Sequence, residues 1–186
     1  MSNGTKASFV LGAISGFIIA ILYIPGTLGR FIGVDWSDWI PDAYFWPILI
    51  VANILISIGF LGLWRKSGNI IPLVSGICII VWDIMVPLVH YLLGLPDPNP
   101  DWYIYFALVG GIVLSLGWIT AGISAWLLRE EFSQFSIVAA LVFLAFGAVN
   151  ILVPLITGSA WTDWHRIFYI AAGIVAGIYF LDAART

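Results

Sequence analysis

Charge is the scarcest thing in this chain. Only 9% of its 186 residues are charged and 62% are hydrophobic, with a mean hydropathy of +1.07. A soluble domain carries about 25% charged residues, so a water-soluble globule with a polar coat is excluded. Cysteine is nearly missing as well. Cys78 is the only one, which excludes an intrachain disulfide and a multi-cysteine metal site and leaves the reading of a small buried hydrophobe. The two histidines, His90 and His165, are far apart in the chain. No H-E-x-x-H and no P-loop occurs, and "GAISG" (12–16) has the wrong spacing for a G-x-S-x-G nucleophile elbow. These absences point away from an enzyme, and no cofactor or metal is expected.

Acidic residues are few, and six of the ten, Asp35, Asp38, Asp42, Asp97, Asp101 and Asp163, fall in the loops on one side of the apolar runs. A face of this sign rules against binding nucleic acid. In "DWSDWIPD" (35–42) the three acids lack the alternating oxygen ligands and turn glycine of a calcium loop. They read instead as an interfacial turn, with Trp36 and Trp39 at headgroup depth in an aromatic belt.

What the chain does have is length without charge. Residues 7–29, 43–64, 70–95, 102–128, 132–160 and 167–181 are almost uncharged. A helix needs roughly 20 residues to cross a ~30 Å hydrocarbon core. The expectation is therefore an all-α polytopic protein with six transmembrane helices, the last extended at its start by Trp164–Arg166. The whole of 1–186 reads as one transmembrane domain in a membrane, the cell membrane by expectation. The first run is too long for the apolar region of a signal peptide and no small-residue cleavage site follows it, so it is read as a mature helix. Of the 7 Lys and Arg, five (Lys6, Arg65, Lys66, Arg129, Arg185) fall on one side of this topology and two (Arg30, Arg166) on the other. The positive-inside rule then puts both termini inside.

The chain also resembles itself. "DIMVPLVHYLLG" (83–94) aligns without a gap on "NILVPLITGSAW" (150–161), and each segment leads into an aromatic helix start, at "DWYIYF" (101–106) and "DWHRIFY" (163–169). The first third follows the plan more loosely, through "AILYIPGTLG" (20–29) and "DWSDWIPDAYFW" (35–46). The reading is three helical hairpins, approximately 7–66, 69–130 and 132–186, as a parallel internal repeat. Pro25, Pro87 and Pro154 would mark equivalent kinks in helices 1, 3 and 5.

One acid stands inside an apolar run. A charged Asp at a helix centre costs about 2.5–3.5 kcal/mol of insertion free energy, which the surrounding Ile, Leu and Val of "IIPLVSGICIIVWDIMVPLV" offset. Asp83 is thus permitted, and Pro87 suggests a reason for it. Proline lacks an N–H, so the carbonyl four residues earlier, that of Asp83, loses its helical bond. Pro154 does the same for Asn150. By depth, Asp83, Asn150, Ser115 and Asn53 could form one polar layer, and no Lys or Arg shares that depth. His90 follows Asp83 by seven residues, on the same face two turns outward.

Two functions remain open. The favoured one is a non-catalytic accessory or scaffold subunit, whose partners are the lipid bilayer and other membrane subunits or further copies of itself. The alternative is a small proton- or cation-linked transporter or channel centred on Asp83, with Asn150, Asn53 and Ser115 as neutral ligands and His90 as a relay.

Overall fold

In the structure, a computed structural model, residues 2–33, 40–94, 101–132, 135–157 and 163–186 are described. Six helices are long and apolar enough to cross a membrane. They are α1 (Asn3–Ile32), α2 (Asp42–Ser67), α3 (Ile70–Leu93), α4 (Asp101–Leu127), α5 (Ser136–Thr157) and α6 (Asp163–Arg185). A short helical turn, Arg129–Phe132, separates α4 from α5, so α5 starts later than the apolar run from 132 suggests. Asp42 opens α2 and is not part of the preceding loop. Asp35, Asp38, Asp97, Trp36, Trp39 and Trp161 lie outside the described residues.

The ends follow from local chemistry. Ser2 caps α1, accepting from the Thr5 amide at 3.3 Å, because a side-chain oxygen there satisfies one of the orphan N–H groups of the first turn. α2 ends on Gly68, whose φ of 71° lies in the left-handed region. Glycine reaches it without a Cβ penalty. Asn69 then starts α3 at once, accepting from the Ile71 amide at 2.9 Å. Two residues reverse the chain.

Each helix packs on the next, and α6 packs on α1, so the six form a closed ring. In hydrocarbon a lipid tail is as apolar as a leucine, and helices associate through close packing and interhelical hydrogen bonds instead of expulsion from water. The α1–α6 seam shows this most directly. Gly12 and Gly16 of α1 and Gly173 and Gly177 of α6 are both small-xxx-small pairs; Gly16 meets the α6 pair, while Gly12 faces Gly59 of α2 and the Phe180 ring. A Cβ on Gly16 would stand 2.5 Å from the Gly173 carbonyl oxygen, and one on Gly173 would stand 2.6 Å from the Gly16 oxygen. Only backbone fits there.

Fully buried Phe60 (α2), Phe143 (α5) and Phe180 (α6) pack inside the ring together with Trp118 of α4. Phe60 meets Phe180 edge-on at 5.2 Å, and Trp118 lies 5.1 Å from Phe143 and 5.0 Å from Phe146. Edge-to-face geometry at such distances suits the ring quadrupoles. The opposite surface is apolar too. Ile14, Ile21 and Leu28 lie along one face of α1, each about half exposed, as a lipid-facing stripe must be.

The glycine seam makes a sharp prediction. Gly16→Ala forces backbone apart and is expected to destabilise by about 1–3 kcal/mol, as overpacking does. Gly111→Ala on α4, where a Cβ meets nothing within 4 Å, should change stability by no more than about 0.5 kcal/mol. Reversible unfolding in detergent micelles compares the two. Equal effects would mean the α1–α6 approach is looser than described.

Candidate functional site

The middle of α3 departs from α-helix where the sequence is most unusual. After Ile70–Asp83 the backbone widens into a π-turn over Ile84–Leu88 and then resumes α over Val89–Leu93. The cause is Pro87. It removes one N–H, and its ring crowds the carbonyl four residues before. A turn with longer-range bonds accommodates both, and π-turns of this kind occur inside helices as local insertions. The other prolines behave differently. Pro25 sits inside α1, and α5 remains α-helical through position 154. The side chain of Pro154 lies outside the described side chains.

Asp83 immediately precedes the π-turn and is buried, with 2% of its surface exposed. Its partner is Asn53 of α2, itself buried, whose Nδ2 donates to Asp83 Oδ1 at 3.0 Å. The Asn53 carbonyl accepts in turn from the Ser57 hydroxyl at 2.8 Å. The other two polar candidates bond to their own helices. Asn150 Nδ2 donates to the Phe146 carbonyl at 2.8 Å, and Ser115 Oγ to the Gly111 carbonyl at 2.7 Å. The structure thus brings together Asp83 and Asn53 from the expected polar layer. Ile21, matched to Asp83 in the looser first third, is 57% exposed and faces outward.

His90 is half-buried, held between the Trp46 ring of α2 at 4.9 Å and the Tyr103 ring of α4 at 5.6 Å. A π-turn contains more residues than an α-turn, so the seven-residue step from Asp83 no longer completes two turns.

Two residues were not singled out from the sequence. Tyr103 donates its hydroxyl to the Val86 carbonyl at 3.0 Å, supplying the distorted turn with a hydrogen bond from the neighbouring helix. The Val86 carbonyl is not the one that Pro87 frees, that of Asp83, so the sequence held no direct signal for this bond. His165, given no role by the sequence, sits in the first turn of α6 and is 2% exposed.

Ring contacts join aromatic residues drawn from all six helices towards one end of the bundle, hereafter the aromatic end. Tyr23 (α1) meets Phe45 (α2), Trp46 (α2) meets His90 (α3), His90 meets Tyr103 (α4), and Phe146 (α5) meets Tyr169 (α6). Arg65, Lys66, Arg129 and Arg185 mark the opposite, basic end. A groove of about 380 Å³ opens there, lined by Phe135, Ile178, Leu181, Asp182 and Arg185, well away from Asp83. No group of three or more His, Cys, Asp or Glu able to hold a metal ion occurs among the described residues. No family model, curated protein or solved structure matches this chain.

The Asp83–Asn53 bond can be tested as a pair. Asp83→Leu and Asn53→Leu should each destabilise by about 1–3 kcal/mol, because each leaves a buried polar partner unsatisfied. The double variant should recover part of that loss, giving a coupling of about 0.6 kcal/mol and no more than about 1.7 kcal/mol, the average and the maximum found for hydrogen bonds between membrane helices. Purely additive losses in a double-mutant cycle would show that the two side chains act separately.

Proposed function

We propose that the protein is a non-catalytic accessory or scaffold subunit of a larger membrane assembly. In this reading the six helices form three hairpins in the cell membrane, with both termini and the basic end inside. The observation that carries it is how the interior is occupied. The one carboxyl group near mid-depth is 2% exposed and hydrogen-bonded to Asn53, and Phe60, Trp118, Phe143 and Phe180 fill the ring beside it. Such an interior supports a rigid body better than a passage for cargo. The internal repeat belongs to the same proposal. The shared Ile-x-Val-Pro-Leu favours it, whereas the π-turn found at Pro87 has no counterpart in the α-helical backbone at 154.

One feature favours the transporter reading: an intramembrane acid beside irregular backbone. Ionisable residues inside membranes and π-turns both concentrate at functional sites. The two readings separate in reconstituted vesicles. With imposed proton, sodium or potassium gradients, vesicles bearing the purified protein should dissipate them no faster than empty ones. In gently solubilised native membranes the chain should migrate within a complex larger than its own monomer. A gradient-driven flux that Asp83→Asn abolishes, or a lone monomer in native membranes, would overturn the accessory reading.

Topology is tested independently. In a Cys78→Ala background, a cysteine at Ser37 should react with an impermeant thiol reagent on intact cells, and one at exposed Glu130 should not. The reverse labelling pattern would invert the proposed orientation.

A further inference from the structure

The groove at the basic end joins an apolar stripe to a pair of opposite charges. Five residues line it: Phe135 at the start of α5, and Ile178, Leu181, Asp182 and Arg185 of α6. Ile174, Ile178, Leu181 and Arg185 follow one another by steps of four, three and four, so they share one face of α6. The three aliphatic members are exposed, and Phe135 is partly buried against the core. From Ile174 to Arg185 the stripe runs about 16 Å at 1.5 Å per residue. One leaflet of a ~30 Å hydrocarbon core is ~15 Å deep. The stripe therefore carries apolar side chains through one leaflet and ends on charge, with Asp182 half-buried and Arg185 exposed. Arg185 makes no hydrogen bond or ion pair among the described residues.

The size of the groove limits what it can hold. At about 380 Å³ it lies at the low end of small-molecule sites, about 300–1,000 Å³. Five lining residues fall far short of the roughly 20–30 a side that a stable protein interface uses. We propose that this groove binds one membrane phospholipid with an ethanolamine headgroup. An acyl chain lies along Ile174, Ile178 and Leu181 and against Phe135. The phosphate accepts from the Arg185 guanidinium, whose planar fork suits phosphate oxygens. The ethanolamine ammonium donates to Asp182. A carboxylate accepts at about four sites, so bonds within the protein leave room for that donor. Choline has no N–H to give, and a glycerol headgroup leaves the phosphate charge facing Asp182 uncompensated. Basic pockets between membrane helices are a recurrent setting for lipid headgroups. The inference goes beyond the accessory reading and does not rest on it, because it needs only that the helices span a membrane.

The experiment is native mass spectrometry of the full chain, released from mild detergent after incubation with dioleoyl phosphatidylethanolamine, phosphatidylcholine or phosphatidylglycerol at equal concentration. One ethanolamine lipid should stay bound at a collision energy that strips the other two. Arg185→Gln should lower its occupancy about tenfold, the low end for a hydrogen bond to a charged group. Asp182→Asn should bring the ethanolamine lipid down to the occupancy of the choline lipid. Ile178→Trp fills the groove with a ring and should weaken all three lipids with the charges intact. Arg129→Gln removes a cation of the same end outside the groove and should leave binding as it is. None of these four residues is buried, and an unaltered thermal unfolding midpoint checks the fold of each variant. Equal retention of the three lipids, full occupancy in Arg185→Gln, or an equal loss in Arg129→Gln would each overturn the proposal. So would a dimer that Ile178→Trp disperses while no lipid is retained, since a second copy would then cover the groove.

Discussion

In hydrocarbon, a polar group that does not find a partner within the protein finds none at all, and this constraint governs the interior of the bundle. Most of its hydroxyls meet the requirement locally. Ser8, Thr27, Ser57, Ser67, Ser75, Ser115 and Thr120 each donate to the carbonyl four residues earlier in their own helix. Asn150 does the same with its amide. Those with no further bond are neutral passengers that cross the membrane without specifying a neighbour; Ser75 and Thr120 also meet each other. Specification comes from the side chains that reach across. Ser15 of α1 donates to the Ala52 carbonyl of α2, Asn53 of α2 to Asp83 of α3, Ser75 of α3 to Thr120 of α4, and Tyr103 of α4 to Val86 of α3. These bonds link α1 to α4 in chain order.

The π-turn belongs to the same accounting. Proline in a helix releases a carbonyl and displaces the chain, and a membrane offers no water to absorb the change. Here Tyr103 supplies a donor to the turn, and Gly110 lets α4 come close enough for it to reach. A Cβ on Gly110 would stand 2.5 Å from a Val86 methyl. Tyrosine and glycine lie seven residues apart on α4, so both address the same stretch of α3. The distortion at Pro87 is thus held from outside its own helix.

Much of the fold was legible in the sequence because hydropathy alone decides it. Six apolar runs of spanning length gave six helices, displaced by a few residues only where Arg129–Phe132 forms a turn of its own. The candidate site was legible by depth and not by direction. Counting residues from the helix ends put Asp83, Asn150, Ser115 and Asn53 at similar levels, but lateral placement depends on the order of helices round the ring. That order sets Asn53 against Asp83 and leaves Asn150 to its own helix. A π-turn leaves no trace in hydropathy, so the changed phase between Asp83 and His90 could not be anticipated. The burial of His165 was hidden for a related reason: hydropathy sets it at the start of a helix but does not say which way that start faces.

The ring closes by different means on its two sides, and the difference shapes its surface. α6 presents Gly173 and Gly177 to α1, where backbone meets backbone. Those small residues cannot also serve α5, since residues on opposite faces of a helix address different neighbours. Towards α5, α6 therefore offers rings: Tyr169 against Phe146 and Tyr179 against Phe143, with Ala139, Ala140, Ala172 and Ala176 filling the spaces between. Rings hold helices further apart than glycines do. α4 and α5 approach closely again through Gly122, where a Cβ would meet the Ala140 oxygen at 2.9 Å, and Gly147, where it would meet the Ser115 oxygen at 2.8 Å. The wide α5–α6 seam thus lies between two narrow ones. The groove formed by Phe135, Ile178 and Leu181 opens along it at the basic end.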